Sequence, residues 1–198
     1  MTEIKTEESG DQLSMEQAPL SRLSLTLPDL KAHLIFWSLA TGGLLLDLWS
    51  KKAAFDWLGR EQTHSVSIID GFLRFIIALN DGAAFSTFSG KAYLLTAISV
   101  VALLVVFGVF LFSGTQFRSI HIALGLFTGG ICGNLYDRIF NDGLVRDFID
   151  VYYRDKHWPT FNVADSLLCI GVGLLIASTF LTEKSSQKHD QQQRQGLS

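Results

Sequence analysis

The chain has 198 residues, which fits a single domain, and its net charge is only −3. Hydrophobic residues make up 48% of the chain and charged residues 18%, whereas about a quarter of the residues of a soluble domain are usually charged. This balance, with a mean hydropathy of +0.29, favours a membrane protein over a soluble domain. The basic residues form no dense tract, so we expect no nucleic-acid partner.

The N-terminal segment, residues 1–29, is polar and acidic and lacks the apolar core of a secretory signal peptide. Its composition predicts a disordered tail. The first apolar segment follows at about residues 33–49, and it ends on Asp47, Lys51 and Lys52. Its length and composition predict a first transmembrane helix.

Two short segments after this helix have the composition of β-strands. Residues 64–69 and 72–79 are rich in β-branched and aromatic side chains, and the turn-forming pair Asp70-Gly71 separates them. This pattern predicts a β-hairpin that rests on the membrane surface.

Three further apolar segments predict three more transmembrane helices. Ala92–Phe112 contains no charged residue and is long enough to cross a hydrocarbon core of ~30 Å. Residues 120–140 are rich in glycine, and Gly129 and Gly133 form a small-xxx-small pattern for close helix packing. Residues 163–181 form the last apolar segment.

Together these segments predict an α-helical integral membrane protein with four transmembrane helices and a small extracytoplasmic β-hairpin, or cradle, between helices 1 and 2. The four-helix domain covers residues 30–182, and the polar residues 183–198 form a second disordered tail. An even number of spans places both termini on one side, so the hairpin shares the opposite side with the connection at residues 142–160. Lys and Arg are similar in number on the two sides, so the positive-inside rule does not determine the orientation.

Polar side chains cluster at the ends of these segments. They lie in Asn80–Phe85, Gly133–Arg138 and Phe161–Asp165, with Asp47, Lys51 and Asp147 at the same predicted membrane face. Carboxylates at such a place are costly and usually functional. Two carboxylates held close together share a proton, so they can take one from water and give one to a leaving amine.

Each of these residues also has a structural interpretation. Asp47 and Lys51 are spaced i, i+4 and can pair on a helix, and Asp137 beside Arg138 is most simply a helix-end ion pair. Asp150 has the position of an ordinary loop carboxylate. Three amides can either bond to backbone at turns or orient an aspartate or a substrate carbonyl: Asn80, Asn134 and Asn162.

The sequence favours neither a metal site nor a disulfide, although a disulfide between its two cysteines is possible in principle. The five histidines are scattered and no metal-binding spacing is present. Cys132 and Cys169 both lie in apolar segments, which predicts buried free thiols. We therefore expect neither a metal nor a cofactor.

Two other functions are compatible with a polar cluster in a membrane protein. A small proton-coupled transporter would use Asp47, Asp147 and Asp165 as a carboxylate relay, and it should place acidic residues along a path through the bilayer. An assembly factor would use the same polar strings to pack helices, and its Asp-to-Asn variants would change stability alone.

Five short sequence motifs occur in this chain in the same order as in a known protein family. The patterns D-x-x-[ST]-K, N-x-G-A-A-F, G-N-x-x-D-R, V-x-D-F and F-N-x-A-D are present as Asp47–Lys51, Asn80–Phe85, Gly133–Arg138, Val145–Phe148 and Phe161–Asp165. Each pattern alone is weak, but five in order within a four-span chain are specific. Over about residues 30–182 the chain therefore resembles lipoprotein signal peptidase, the signal peptidase II family.

The resemblance implies a catalytic pair, because the aspartates of V-x-D-F and F-N-x-A-D correspond to Asp147 and Asp165. The supporting polar residues of the family match Asp47, Lys51, Asn80, Asn134, Asp137, Arg138 and Asn162. Arg146 is a departure, since the family often has valine there. A cation beside Asp147 would favour the ionised form of that carboxyl.

The implied reaction is hydrolysis of the peptide bond before a diacylglyceryl-modified cysteine in a prolipoprotein, with the two aspartates as general base and acid on one water. The resemblance also implies contact with membrane lipids and inhibition by globomycin-type compounds. It places the protein in the bacterial inner membrane, with cytoplasmic termini and an active site near the periplasmic face. Coupled carboxylates titrate as a pair, so the sequence does not assign the base and the acid.

Overall fold

The computed structural model describes residues 27–82, 90–112 and 118–178. The helices are α1 (Leu30–Leu58), α2 (Ala92–Phe112), α3 (Arg118–Phe140) and α4 (Val163–Ser178). The strands are β1 (Ser65–Ile69), β2 (Leu73–Asn80), β3 (Val145–Tyr153) and β4 (Lys156–His157). Apart from residues 27–29, the two predicted tails lie outside the described residues, as do residues 83–85 of the Asn80–Phe85 string.

Helix α1 continues past its predicted end near Trp49 to Leu58. Lys51 was placed at the end of the first apolar segment, but its side chain is fully buried against carboxylates. The helix ends instead where the backbone N–H of Gly59 bonds to the carbonyl of Phe55 at 2.9 Å. Because Lys51 is buried and paired, the helix continues past it, and the predicted end of the first helix near Trp49 was wrong.

Helix α2 has the predicted bounds and is apolar on all sides. Leu95 and Phe110 are its buried residues, whereas Leu104 is 68% exposed. A helix that is apolar all round is suited to contact with lipid. Among the described helices, α1 and α2 have the length and hydropathy of membrane spans. Spanning by α3 and α4 stays a prediction.

The predicted hairpin is present, and it forms half of a larger sheet. β1 and β2 pair antiparallel around the turn at Gly71, whose φ of 77° suits glycine. β3 and β4 extend the sheet in the order β1-β2-β3-β4, and they lie in the connection at residues 142–160, where the sequence had revealed no strand. The strand-forming residues of β3 are interrupted by Asp147 and Asp150, which obscured its pattern.

Two apolar clusters lie at opposite ends of α1. Ala32 and Phe36 pack against Phe110 at the end of α2 and Leu124 near the start of α3. At the other end, residues 54–58 of α1 pack against the sheet through a cluster of Ala54, Leu58 and Phe148. The second cluster fixes the sheet beside the polar ends of α1 and α3.

Glycines allow α3 to approach α1 closely. A Cβ at Gly129 would lie 3.0 Å from the carbonyl oxygen of Ala40, and a Cβ at Gly125 would lie 2.9 Å from that of Phe36. The predicted small-xxx-small packing is therefore confirmed, and it extends one turn toward the start of α3. This approach brings the polar end of α1 against the polar end of α3.

Gly133→Ala should destabilise the protein, because the added Cβ would overlap the Asp47 carboxylate and lie 2.9 Å from its Cγ. Asp47 is fully buried, so its side chain cannot move into water. Overpacking of this kind costs about 1–3 kcal/mol, which should lower Tm by several degrees. In the control Gly42→Ala the Cβ meets no atom within 4 Å, and Tm should hold or rise. Equal Tm values for the two variants would contradict the close contact.

Candidate active site

Two carboxylates from different elements face one cavity. Asp147 lies on β3 and Asp165 lies in the first turn of α4, and both line a cavity of about 560 Å³. The polar wall also includes Asn80, Asn134 and Arg138. The opposite wall is apolar and contains side chains of α4 and of the segment before it: Trp158, Phe161, Leu168 and Ile170.

Asp165 is held by a reciprocal cap at the start of α4. The side-chain oxygen of Asn162 accepts from the backbone N–H of Asp165 at 3.0 Å, and the Asp165 Oδ2 accepts from the backbone N–H of Asn162 at 3.1 Å. This is the capping-box geometry, in which the N-cap residue and the residue three positions later satisfy each other's backbone donors. The spacing N-x-x-D thus places the carboxylate at a helix N-terminus with a fixed orientation.

Asp147 is buried and accepts on both of its oxygens. Asn162 Nδ2 donates to Oδ1 at 2.6 Å, and Asn80 Nδ2 donates to Oδ2 at 3.0 Å. Burial, and after it the nearby charge of Asp165, raise the pKa of Asp147, while the two amide donors and Lys51 lower it; the net result is a pKa of about 7. Asp147 therefore exchanges a proton in the neutral pH range.

The orientation of the Asn134 amide follows from its neighbours. Its Oδ1 accepts from Lys51 Nζ and from Asn162 Nδ2, each at 3.0 Å. The remaining Nδ2 donates to Asp165 Oδ1 at 2.8 Å. Because an ammonium can only donate, Lys51 dictates which end of the Asn134 amide faces the carboxylate.

Behind Asn134 lies a buried ion cluster. Lys51 Nζ is 2.7 Å from an Asp47 oxygen and 3.1 Å from an Asp137 oxygen, and Arg146 Nη2 is 2.6 Å from the other Asp137 oxygen. Two cations thus balance two carboxylates. Asp47 also accepts from the backbone N–H of Ala164 at 2.8 Å, which ties α1 to the start of α4.

Two predicted interactions in this cluster were wrong. Asp137 does not pair with Arg138, because residues i and i+1 of a helix do not face each other. Arg138 instead donates to the carbonyls of Asn134 at 3.5 Å and Gly82 at 3.3 Å. Arg146 is not beside the carboxylate of Asp147, since successive strand side chains point to opposite faces, and its guanidinium binds Asp137. The predicted pairing of Asp47 with Lys51 is confirmed.

Asp150 is not a loop carboxylate. It lies on β3, is 1% exposed, and binds Arg74 and His157. Cys169 is free, as predicted, but exposed and on the cavity wall, whereas a buried thiol was expected. The ion pair of Arg146 with Asp137 was not predicted, because Arg146, the second residue of β3, stands next to Asp147 in the chain and not next to Asp137.

The structure brings together all nine residues that the sequence singled out. Asp147 and Asp165 face the cavity, and the others bind one of them directly or through Asn134 and Lys51: Asp47, Lys51, Asn80, Asn134, Asp137, Arg138 and Asn162. The carboxylates of a transporter relay would follow a path along the helices, whereas these lie at one end of the helix bundle. The arrangement is suited to proton transfer at a single point.

Comparisons with known proteins point to one family. The family model described as signal peptidase (SPase) II matches residues 39–181. A lipoprotein signal peptidase of Rhodopirellula baltica is 40% identical over 161 residues, which cover 75% of this chain and 72% of that protein. A lipoprotein signal peptidase of Aquifex aeolicus is 36% identical over 159 residues, which cover 77% of this chain and 90% of that protein.

The fold is also similar to a solved structure. A bacterial membrane enzyme determined by the in meso method superposes with a TM-score of 0.67 at 29% identity, covering 82% of this chain and 94% of that chain. Sequence, fold and the five ordered motifs therefore lead to one conclusion: the chain belongs to the signal peptidase II family.

Proposed function

We propose that the protein is an aspartyl endopeptidase of the bacterial inner membrane, which removes signal peptides from prolipoproteins by hydrolysing the bond before the diacylglyceryl-modified cysteine. The lipoprotein signal peptidases that the chain resembles support prolipoproteins as the substrate. The observation that carries the proposed chemistry is the pair Asp147 and Asp165, which face one cavity and are linked by Asn162.

The environments of the two aspartates favour different roles. Asp147, with a pKa of about 7, carries the proton and gives it to the substrate. Asp165 lies in the first turn of α4, where the helix dipole favours a negative charge, and it takes a proton from the attacking water. Two carboxylates at one cavity can thus supply an acid and a base without a metal or a covalent nucleophile.

The remaining polar residues would position the substrate and the pair. Asn80 and Arg138 line the cavity near Asp147 and can bind substrate carbonyls. Asn134 and Asn162 hold the two carboxylates, and the ion cluster of Asp47, Lys51 and Asp137 supports Asn134. The apolar wall formed by α4 would accept the acyl chains, and a globomycin-type inhibitor would occupy the same cavity.

The topology that we propose combines this arrangement with the family resemblance. All four helices would span the membrane, with both termini in the cytoplasm and the sheet at the periplasmic face. The sheet and the polar ends of α1, α3 and α4 lie together at one end of the molecule, as a site at a membrane surface requires. The exposed apolar side chains of α2 would contact lipid.

The direct test is cleavage of a diacylglyceryl-modified prolipoprotein by the purified protein in detergent, compared with the same substrate without its lipid. We expect cleavage before the cysteine of the lipidated substrate alone, and inhibition by globomycin. Cleavage at another bond, or equal cleavage of both substrates, would contradict the proposed specificity.

Asn80→Ala should move the alkaline limb of the pH–rate profile to higher pH. In the wild type the rate should fall about tenfold per unit above a pH of about 7, because Asp147 must hold its proton. Asn80 donates to the ionised carboxylate and so lowers its pKa, and removal of this donor raises the pKa further. The control Asn141→Ala removes an amide that bonds to the Leu144 carbonyl and should keep the wild-type limb. A shift to lower pH in Asn80→Ala would be inconsistent with the acid role of Asp147.

A further inference from the structure

A second cavity lies on the sheet beside the first. Its volume is about 660 Å³, and it shares a wall with the active-site cavity. The shared residues are Asn80, Trp158, Pro159 and Thr160. A chain that extends from the aspartate pair across this wall would therefore enter the second cavity without leaving the protein surface.

The second cavity contains a preorganised polar cluster. Arg74 Nε donates to Asp150 Oδ2 at 2.6 Å, and His157 Nδ1 lies 3.1 Å from Asp150 Oδ1. Tyr152 supports both partners: the Arg74 guanidinium lies 4.9 Å from the centre of its ring, and the His157 ring stacks on it at 5.6 Å. These contacts fix the guanidinium at the cavity wall.

Arg74 keeps donors for a ligand. Within the described part of the chain it donates through Nε, and its side chain is 35% exposed where it lines the cavity. Its two terminal nitrogens are therefore available to oxygen acceptors. Trp158, on the shared wall, is 61% exposed, and an exposed aromatic ring between two cavities offers a contact surface for a peptide.

The chemistry of the two cavities distinguishes the two sides of the scissile bond. If the proposed function is correct, an apolar signal peptide precedes the bond, whereas the lipid-modified cysteine and a polar mature chain follow it. The second cavity is lined by charged and polar side chains as well as by apolar ones such as Ile76 and Leu79, so it is more polar than the active-site cavity and suits an apolar signal peptide less well. Hydrogen-bond donors beside an exposed aromatic ring suit a polar, extended chain.

We propose that the second cavity binds the first residues of the mature polypeptide after the lipid-modified cysteine, with Arg74 donating to their carbonyl or carboxylate oxygens and Trp158 packing on the chain. This inference rests on the proposed function and adds a subsite to it. The subsite predicts that cleavage depends on how much polypeptide follows the cysteine.

Two lipidated substrates with the same signal peptide test this. One ends directly after the cysteine, and the other continues for about six residues, roughly 20 Å of extended chain. For the wild type we expect kcat/KM to be about tenfold higher for the longer substrate, mainly through KM, because one or two hydrogen bonds and an aromatic contact are gained.

Three variants test whether the preference for the longer substrate arises in the second cavity. Arg74→Lys keeps a cation beside Asp150 but loses the two terminal nitrogens, and Trp158→Ala removes an exposed ring. In both, the ratio of kcat/KM for the long and short substrates should fall toward one. Arg154→Gln removes an exposed cation from the turn between β3 and β4 and should keep the wild-type ratio. If Arg74→Lys does not fold, the ratio measured for Trp158→Ala alone tests the subsite.

Several outcomes would overturn the subsite. One is a wild type that cleaves both substrates equally well, which would leave the proposed function intact. Another is an Arg154→Gln variant that loses the ratio as fully as Arg74→Lys does. A wild type that cleaves neither lipidated substrate would refute the proposed function, and the subsite with it.

Discussion

Asp147→Asn and Asp165→Asn should each lower the cleavage rate of a lipidated prolipoprotein by about 10³-fold or more, while both proteins still fold. General acid–base catalysis contributes roughly 10²–10⁴-fold per group, and here each group also depends on the proton of the other. Residues that act as a unit show non-additive losses. The double variant should therefore be no slower than the slower single variant.

The measurement is the initial cleavage rate of each purified variant, with Tm recorded to establish folding. Asp155→Asn is a matched control, because it removes an exposed carboxylate from the turn between β3 and β4, and it should cleave at the wild-type rate. If one of the two variants stays active, the partner carboxylate must be sought among the other buried aspartates, Asp47, Asp137 and Asp150. A double variant as slow as the product of the two single effects would indicate independent roles.

The helices and the polar residues of the site could be predicted from the sequence because their patterns are local. The uncharged run Ala92–Phe112 gave the bounds of α2, and the turn at Asp70-Gly71 gave the hairpin. The grouping of polar motifs that are far apart in the chain could be predicted from the topology. With four membrane spans, the first and third connections lie on the same side of the membrane.

The hydrogen-bond partners could not be predicted, because they depend on the register between elements. Asp137 stands next to Arg138 in the chain but binds Lys51 and Arg146, which come from another helix and from β3. β3 was overlooked for a related reason. Its polar residues Asp147 and Asp150 are buried in the folded protein, and no local pattern distinguishes a buried, partnered carboxylate from one in a loop.

Lys51→Met should strongly destabilise the protein, because it removes a cation that two buried carboxylates bind. Lys51 is fully buried against two carboxylates, and methionine has a similar shape without the charge. Removing one member of a buried ion pair costs about 3–5 kcal/mol, which corresponds to a fall in Tm of roughly 10 °C for a protein of this size. The control Lys52→Met breaks the exposed pair with Asp56 and should change stability by less than about 1 kcal/mol.

A double variant separates the two roles of Lys51. In Lys51→Met, Asp137 keeps Arg146 as a partner, whereas Asp47 is left with the backbone donor of Ala164 alone among the described residues. Adding Asp47→Asn removes that uncompensated charge, so the double variant should recover much of the lost Tm.

Cleavage should not recover with it. Without the Lys51 ammonium, the Oδ1 of the Asn134 amide keeps only the Asn162 donor among the described residues, so the amide is held less firmly and can rotate until its oxygen faces Asp165. Such a rotation would turn a hydrogen bond to the proposed base into a repulsive contact. A double variant that regains both Tm and activity would show that Lys51 serves charge balance alone. A stable but slow enzyme would show that the buried lysine acts on the catalytic pair through one asparagine.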